Sequence, residues 1–292
     1  MSGGKGKVLT FMTMLHAAAF DLQAYLERIG LSEAPAPTVD GLKALHRAHR
    51  LAIPFENLDV ALGRGISLNP DAVFTKLVTQ RRGGYCFEQN QLFGRALAAL
   101  GFTARPLLAR VWLMAQDVPP TSHRLELVCI DGQDWIADAG FGGAFTPPMP
   151  LRVGEAGPEQ DGAHHRLRTD AEHGWMLERL TAGTPMDERV SADGDWQAQY
   201  SFTLRDVHPA DLELCNHWTS TRPGTRFTSL TIASKITPDG FVALTDGALS
   251  ISTAVGNSRC EFDSPAAMHA VLTEHFGIDL PVDELARLPH LA

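Results

Sequence analysis

The sequence predicts a multidomain α+β fold in which helices come first, strands second and a smaller mixed α/β unit last. Three observations support this order. Apolar residues recur at helical spacing in the first part of the chain, apolar-rich runs divided by turn residues follow, and both patterns occur after residue 208. The chain has 292 residues, of which 44% are hydrophobic and 20% charged, so we expect a substantial buried core.

The first part contains four predicted helices, each with apolar residues repeating on one face. A glycine or a proline follows most of them and gives a C-terminal stop. The residues that mark them are Leu22, Tyr25, Leu26 and Ile29 before Gly30; Leu42, Leu45, His46 and His49 before Pro54; Lys76, Leu77 and Gln80; and Leu92, Phe93, Ala96, Leu97 and Leu100 before Gly101.

Strand candidates dominate the middle of the chain, because short apolar-rich runs there are separated by turn residues. They cover residues 107–113, 124–130, 135–137, 175–180 and 198–204.

The last part combines both patterns. A short helix is predicted at 208–211, and two extended runs, 227–235 and 241–244, are joined by a Pro-Asp-Gly turn. Further helices are predicted over 266–276 and 282–288. The sequence shows no internal repeat and no low-complexity linker, so we expect the three units to pack closely.

Composition argues against some classes of function. The formal net charge of −9 disfavours a general nucleic-acid-binding protein, because neutralising phosphates requires a basic surface. The four cysteines form no CxxC pair and no Cys/His cluster with zinc spacing. Two disulfides are formally possible, but a core-rich chain of this length favours reduced cytosolic thiols. We expect His164-His165 to lie in a solvated loop and no metal to be bound.

The first 19 residues need a separate interpretation. Lys5 and Lys7 precede a short apolar run that resembles a signal peptide weakly, whereas Met12 and Met14 favour an extension ahead of the folded part. No stretch approaches the roughly 20 apolar residues that span a bilayer. We therefore expect residues 1–19 to be an N-terminal extension, no membrane partner and a cytoplasmic location.

The most informative stretch is residues 81–90, in which Cys86 stands between a glycine pair and a predicted helix. Gly83 and Gly84 are predicted to permit a tight, otherwise strained turn. Cys86 should then lie at a helix N-terminus, where free N–H groups and the helix dipole favour a negative charge and hence the thiolate. For Cys86 considered alone, a buried structural thiol is the alternative.

A nucleophilic cysteine needs a base and a group that orients the base. His123 lies where a proline-containing loop enters a strand candidate, and Asp138 follows another strand candidate just before a glycine-rich loop. Adjacent strands could bring these two side chains together. Considered alone, His123 could be a hydrogen-bonded histidine at a strand end and Asp138 a turn residue. The other three cysteines lack a glycine turn and are interpreted as packing residues.

Several segments, in the right order, resemble the arylamine N-acetyltransferase family. Residues 82–88 (Arg-Gly-Gly-Tyr-Cys-Phe-Glu) are similar to its active-site motif, 20–30 to its opening helix and 53–58 (Ile-Pro-Phe-Glu-Asn-Leu) to its second signature. Ser122-His123 and 138–142 (Asp-Ala-Gly-Phe-Gly) resemble the segments that hold the family's histidine and aspartate. The resemblance weakens after about residue 145.

The resemblance implies a helical domain, a β-barrel-like domain and a C-terminal α/β lid, with a triad layout similar to that of cysteine proteases and transglutaminases. The expected bounds are 20–103 for the helical domain with the nucleophile, 104–205 for the β-barrel-like domain with the histidine and the aspartate, and 206–292 for the lid.

The resemblance also implies ping-pong acetyl transfer from acetyl-CoA to an arylamine, arylhydrazine or N-hydroxyarylamine. Cys86 would be the nucleophile, His123 its base or ion-pair partner, and Asp138 the residue that orients His123. Acetyl-CoA would be a substrate rather than a tightly bound cofactor, and the protein a monomer or a homodimer. The residues assigned to substrate binding are Phe55, Ser122, Gly140, Phe141 and Gly142.

Glu56 and Arg82 are polar residues inside the two best-matched motifs. We predict that they pair and support the Cys86 turn, since a charge beside a buried turn usually needs a partner. Arg82 would then be structural rather than catalytic. For Phe55, a plain core role is an equal alternative to a place in the acceptor pocket.

Two other functions are compatible with the sequence. The same three residues could serve a hydrolase or an amide synthase that closes a larger product. The chain could also be a non-catalytic binding protein with a decayed site, although the joint presence of Cys86, His123 and Asp138 argues against this.

Overall fold

The computed structural model describes residues 20–143, 145–156, 163–180, 195–253 and 255–291. The predicted N-terminal extension over residues 1–19 lies outside the described residues. Within the described ranges, no helix is both long enough and apolar enough to cross a membrane.

The first part of the chain is helical, and its sequence supplies the capping groups. Asp21 accepts a hydrogen bond from the backbone N–H of Ala24 at 3.0 Å, and Gly30 ends the first helix with a φ of 75°. The elements are α1 (Leu22–Ile29), α2 (Val39–Ala52), β1 (Phe55–Glu56), α3 (Leu58–Ala61), α4 (Pro70–Phe74), a π-helical turn that continues α4 (Thr75–Thr79), and α5 (Cys86–Ala99).

The middle of the chain forms an open, half-barrel antiparallel sheet with the strand order β5-β4-β3-β2-β9-β8-β7-β6. Its strands are β2 (Thr103–Val111), β3 (Thr121–Ile130), β4 (Gln133–Ala137), β5 (Met149–Pro150), β6 (Gly154–Ala156), β7 (His164–Asp170), β8 (Gly174–Leu180) and β9 (Gln197–Phe202). The expectation of a solvated loop at His164-His165 is wrong, because both residues lie in β7 and His165 is fully buried.

Strand β3 contributes to two cores and thereby fixes the position of α5. Val128 packs with Leu92 and Phe93 of α5 in the core shared with the helices. Leu125 and Leu127 belong to the core on the other face of the sheet. Because successive side chains of a strand point to opposite faces, β3 can hold α5 on one side while it presents residues to the other.

The last part of the chain combines a second sheet with short helices. Its elements are α6 (Pro209–Thr221), α7 (Arg226–Ser229), β10 (Ile232–Thr237), β11 (Gly240–Thr245), β12 (Ala248–Thr253), β13 (Gly256–Glu261), α8 (Pro265–Val271), a π-helical turn that continues α8 (Leu272–Phe276), and α9 (Val282–Leu285). The sheet order is β1-β10-β11-β12-β13, so β1 from the helical part completes it.

The predicted multidomain α+β class is confirmed, with helices, strands and a mixed unit in that order. One detail differs. The extended run predicted to begin at Phe227 begins at Ile232, because residues 226–229 form α7.

Candidate active site

Cys86 is the first residue of α5, and the turn before it contains Gly83 and Gly84, which other atoms approach too closely for a side chain. A Cβ on Gly83 would lie 2.2 Å from the carbonyl oxygen of Pro54, and one on Gly84 would lie 2.8 Å from Glu88 Oε2. Neither glycine has a positive φ; the left-handed residue of this turn is Arg81, with a φ of 54°. The turn is therefore where the sequence predicts it, but the prediction of a strained backbone at the two glycines is wrong. Glycine is needed there because other atoms approach closely.

The N-terminus of α5 favours a negative charge at Cys86. Glu88 accepts a hydrogen bond from the backbone N–H of Tyr85 at 3.1 Å and caps the helix. The Cys86 side chain lies at the positive end of the helix dipole and is almost completely buried. Its Sγ is 3.8 Å from the carbonyl oxygen of Ser122, the residue before His123.

The structure brings His123 and Asp138 together next to Cys86. Antiparallel pairing of β3 with β4 places His123 near the residue that follows β4, and His123 Nε2 lies 2.6 Å from Asp138 Oδ2. Cys86 is also close enough to His123 to raise the pKa of its ring. Because Nε2 faces Asp138, the other ring nitrogen, Nδ1, is the one that can exchange a proton with the thiol. The order Cys86, His123, Asp138 is that of a nucleophile, a base and an orienting carboxylate.

Charge keeps the His123 ring protonated. Burial alone would lower the pKa of His123, but the Asp138 carboxylate and the adjacent Cys86 outweigh burial and raise it to about 10. Burial likewise would raise the pKa of Asp138, and the His123 charge together with hydrogen bonds holds it below its usual value. At neutral pH the pair is therefore an imidazolium beside a carboxylate, next to the Cys86 side chain.

Asn90 and His46 hold Asp138 in place, and neither was predicted as a site residue. Asn90 Nδ2 donates to Asp138 Oδ1 at 2.9 Å, and Asn90 Oδ1 accepts from the Ala139 N–H at 2.9 Å. His46 Nε2 lies 2.8 Å from the carbonyl oxygen of Asp138. Asn90 follows Cys86 by four residues, so helical periodicity puts both on one face of α5. That spacing is a signal by which the sequence could have identified Asn90.

The glycine-rich loop after Asp138 packs against Cys86. A Cβ on Gly140 would lie 2.9 Å from the Cα of Cys86, which requires glycine there. The Phe141 ring packs edge-on against His123, with centroids 5.2 Å apart. Buried Arg50 donates to the carbonyl oxygen of Gly143 at 2.9 Å and holds the end of the loop.

A cleft with several aromatic side chains in its wall lies between this loop and the second sheet. Phe55, Phe141 and Gly142 line it, together with Phe227 from α7. Cys86 does not line the cleft itself, although its side chain shares an apolar cluster with Phe55. The other two residues assigned to substrate binding, Ser122 and Gly140, adjoin Cys86 rather than the cleft.

Glu56 and Arg82 are paired beneath the Cys86 turn. Arg82 Nε and Nη2 lie 3.0 and 2.7 Å from Glu56 Oε1, and Glu56 Oε2 accepts from the Leu58 N–H at 2.8 Å. Lys76 Nζ extends the network with distances of 2.8 Å to both Asp59 Oδ2 and Glu88 Oε1. The network thus joins β1 and α3 to the carboxylate that caps α5.

Buried Arg28 supports the same turn from the other side. Its guanidinium donates to the backbone carbonyl oxygens of Leu77 and Ala52, both at 2.9 Å, and to that of Arg81 at 3.3 Å. Burial and the charge of Arg81 lower the pKa of Arg28 to about 10. Sequence patterns do not reveal this role, because all its partners are backbone atoms.

Among the described residues, no group of three or more His, Cys, Asp or Glu side chains is arranged to hold a metal ion. The residues that the structure does bring together are Cys86, His123 and Asp138, beside the cleft lined by Phe55 and Phe141.

Known proteins resemble this chain over most of its length. A family model described as N-acetyltransferase matches residues 38–285. The arylamine N-acetyltransferase of Mycolicibacterium smegmatis is 39% identical over 271 residues, which cover 90% of this chain and 93% of that relative. A Salmonella typhimurium protein described as arylamine N-acetyltransferase / N-hydroxyarylamine O-acetyltransferase is 39% identical over 221 residues, covering 75% of this chain and 74% of its own.

Solved structures agree with the sequence relatives. The Salmonella typhimurium arylamine N-acetyltransferase superposes with a TM-score of 0.83 at 34% identity and covers 91% of this chain and 97% of its own. The Mycobacterium marinum arylamine N-acetyltransferase in complex with CoA superposes with a TM-score of 0.82 at 32% identity and covers 93% of this chain and 100% of its own.

Proposed function

The chain belongs to the arylamine N-acetyltransferase family, and from this premise we propose that it works by a ping-pong mechanism in which Cys86 carries the acetyl group. The donor is acetyl-CoA, and the acceptor is an arylamine, an arylhydrazine or an N-hydroxyarylamine. The observation that carries the proposal is the position of Cys86 at the N-terminus of α5, 3.8 Å from the residue before His123, whose ring is held 2.6 Å from Asp138.

In the first half-reaction Cys86 Sγ attacks the thioester carbonyl carbon of acetyl-CoA. A carbon–sulfur bond to Cys86 forms and the carbon–sulfur bond to CoA breaks. The departing CoA thiolate takes the proton from His123 Nδ1 and leaves as the thiol. One thioester replaces another, so the acetyl-enzyme stores the acetyl group with little change in free energy. Asp138 keeps the ring oriented throughout.

In the second half-reaction the nitrogen of the acceptor attacks the acetyl carbon on Cys86. His123, now neutral, accepts the proton that the nitrogen loses, and Cys86 leaves as the thiolate. The starting imidazolium and thiolate are thereby restored. An aromatic amine suits this step, because it is a weak base and stays neutral and nucleophilic near neutral pH.

The remaining residues support these steps. Phe55, Phe141 and Gly142 form the apolar wall for the acceptor ring, since they line the cleft beside the nucleophile. Ser122 and Gly140 bound the space around Cys86 Sγ, and Glu56 with Arg82 supports the turn. A helical domain over 20–103, a sheet domain over 104–205 and a lid over 206–292 complete the proposed organisation of a cytoplasmic enzyme without a tightly bound cofactor.

The proposal is tested by adding acetyl-CoA alone and measuring the intact mass of the protein. We expect one acetyl group on Cys86, none on Cys86→Ala, and an unchanged adduct on Cys129→Ala, which removes an exposed cysteine of β3. Free CoA should be released in one burst without amine and continuously with an arylamine. Continuous release without amine would instead identify a thioester hydrolase, and absence of any adduct would overturn the proposal.

A further inference from the structure

Strand β13 leaves one side of the second sheet open. It is the last strand in the order β1-β10-β11-β12-β13, and among the described residues it pairs with β12 alone. All six of its residues, Gly256–Glu261, are exposed. An edge strand carries unpaired N–H and C=O groups that can add another strand.

The register of β13 shows which backbone groups face the open side. The Phe262 N–H donates to the Gly247 carbonyl oxygen at 2.8 Å, one step beyond the Ala248–Glu261 pair. Hydrogen-bonded and non-hydrogen-bonded pairs alternate in an antiparallel ladder. The backbone groups of Cys260 therefore bond inward to β12, and those of Arg259 and Glu261 point outward.

The outward residues carry opposite charges on one face of the strand. Arg259 Nε lies 3.7 Å from Glu261 Oε1, so both side chains share a face, and Cys260 between them points to the other face. Cys260 is a free, exposed thiol. A strand with charges of opposite sign at alternate positions is complementary to its own antiparallel copy.

We propose that two copies of this chain associate through β13, paired antiparallel with Cys260 opposite Cys260 of the partner subunit. In this register Arg259 faces Glu261 of the partner subunit, and Glu261 faces Arg259 of the partner subunit. Sliding the strands by two residues in either direction sets Arg259 against Arg259 of the partner subunit or Glu261 against Glu261 of the partner subunit. Like charges directly opposite each other destabilise a strand pair, so the charges select one register.

The same register brings the two thiols within reach of each other. Cys260 and its counterpart form a non-hydrogen-bonded pair, for which the Cα atoms lie about 4.5 Å apart, inside the range that a disulfide spans. One short strand on each side buries little surface compared with a stable dimer, so the reduced protein should associate weakly. Oxidation of the two thiols then traps the pair.

Diamide, an azo oxidant, makes the association measurable in the full-length protein. It takes two electrons and two protons from the two Cys260 thiols, which leaves one disulfide and the hydrazine product. Non-reducing gel electrophoresis should show a covalent dimer for the wild-type protein and for Cys129→Ser, which removes the other fully exposed cysteine. Cys260→Ser should show none and should retain acetyl transfer. A dimer that persists in Cys260→Ser would overturn the proposal.

Charge substitutions distinguish the proposed register from random collision of exposed thiols. Arg259→Glu sets two pairs of like charges opposite each other and should slow dimer formation about tenfold, and Glu261→Arg should do the same. The double variant Arg259→Glu/Glu261→Arg restores both opposite-charge pairs and should oxidise at the wild-type rate. Equal rates for the single variants and the wild type, or a double variant as slow as the singles, would refute strand pairing.

Discussion

Asn90 is expected to hold the Asp138 carboxylate in place, and replacing Asn90 by alanine tests this directly. Its side-chain amide contacts Asp138 Oδ1, the Ala139 N–H and the Arg124 carbonyl oxygen, all of them in the buried interior. Asn90→Ala removes these three partners while α5 keeps a residue of high helix propensity.

The expected magnitude follows from the groups left without partners. The Ala139 N–H loses its acceptor, Asn90 Oδ1, and the Arg124 carbonyl oxygen loses its side-chain donor. An unsatisfied buried group costs about 1–3 kcal/mol, so the loss of both partners should lower the free energy of unfolding by about 2–6 kcal/mol. Asp138 retains one donor to Oδ1, the Gly140 N–H at 3.0 Å, and should shift relative to His123. A misplaced catalytic group can lower the rate about 100-fold.

The assay combines chemical denaturation with the rate of CoA release in the presence of an arylamine. Gln91→Ala is the matched control, because Gln91 is the neighbouring amide and donates to the Leu68 carbonyl oxygen at 2.7 Å, away from Asp138. It should lose about 1 kcal/mol and keep its activity. If Asn90→Ala behaved like Gln91→Ala in both assays, the hydrogen bonds of Asn90 would not be what positions Asp138.

Two further predictions concern buried charge. Glu56→Ala leaves Arg82 buried without its closest carboxylate, so the free energy of unfolding measured in urea should fall by about 3–5 kcal/mol. The control Glu284→Ala breaks an exposed pair with Arg64 and should cost less than about 1 kcal/mol. Equal losses for the two variants would contradict the supporting role of Glu56. Burial, together with nearby positive charge, lowers the pKa of His165 to about 3, so below pH 6.5 the unfolded chain binds a proton there that the folded chain does not. The free energy of unfolding therefore falls as the pH falls from 6.5, and at pH 5 the contribution of His165 to this loss should be about 2 kcal/mol. His165→Leu lacks the titrating ring, so denaturation measurements should show this variant losing about 2 kcal/mol less than the wild type between pH 7 and pH 5. Equal losses for the two proteins would refute this.

Local patterns predicted the helices better than the edges of the sheets. Leu42 and Leu45 fall on the buried face of α2, as their spacing predicts. The strands β12 and β13 were not predicted, because β13 is exposed at every position and lacks the alternation that marks a half-buried strand. A two-residue strand such as β1 is likewise too short for any periodicity.

The site could be predicted in its residue types but not in its supports. Motif and order indicated Cys86, His123 and Asp138, because a nucleophile, a base and a carboxylate are recognisable as types. Arg28 and Arg50 were not identified, since they hold backbone carbonyl oxygens and such partners leave no pattern in the sequence. Only packing of the folded chain shows that these guanidinium groups lie behind the active-site loops.

The position of Cys86 depends on contacts with residues far away in the sequence. Tyr85 directly precedes Cys86, and its hydroxyl bonds to Asn216 of α6. Glu56, which holds Arg82 beside the turn, is paired with Ala233 of β10 in the second sheet. Both the hydroxyl and the carboxylate are buried, so neither can exchange its protein partner for water without moving. The C-terminal part therefore supports the turn before Cys86 directly, through Asn216 and β10, in addition to lining the cleft.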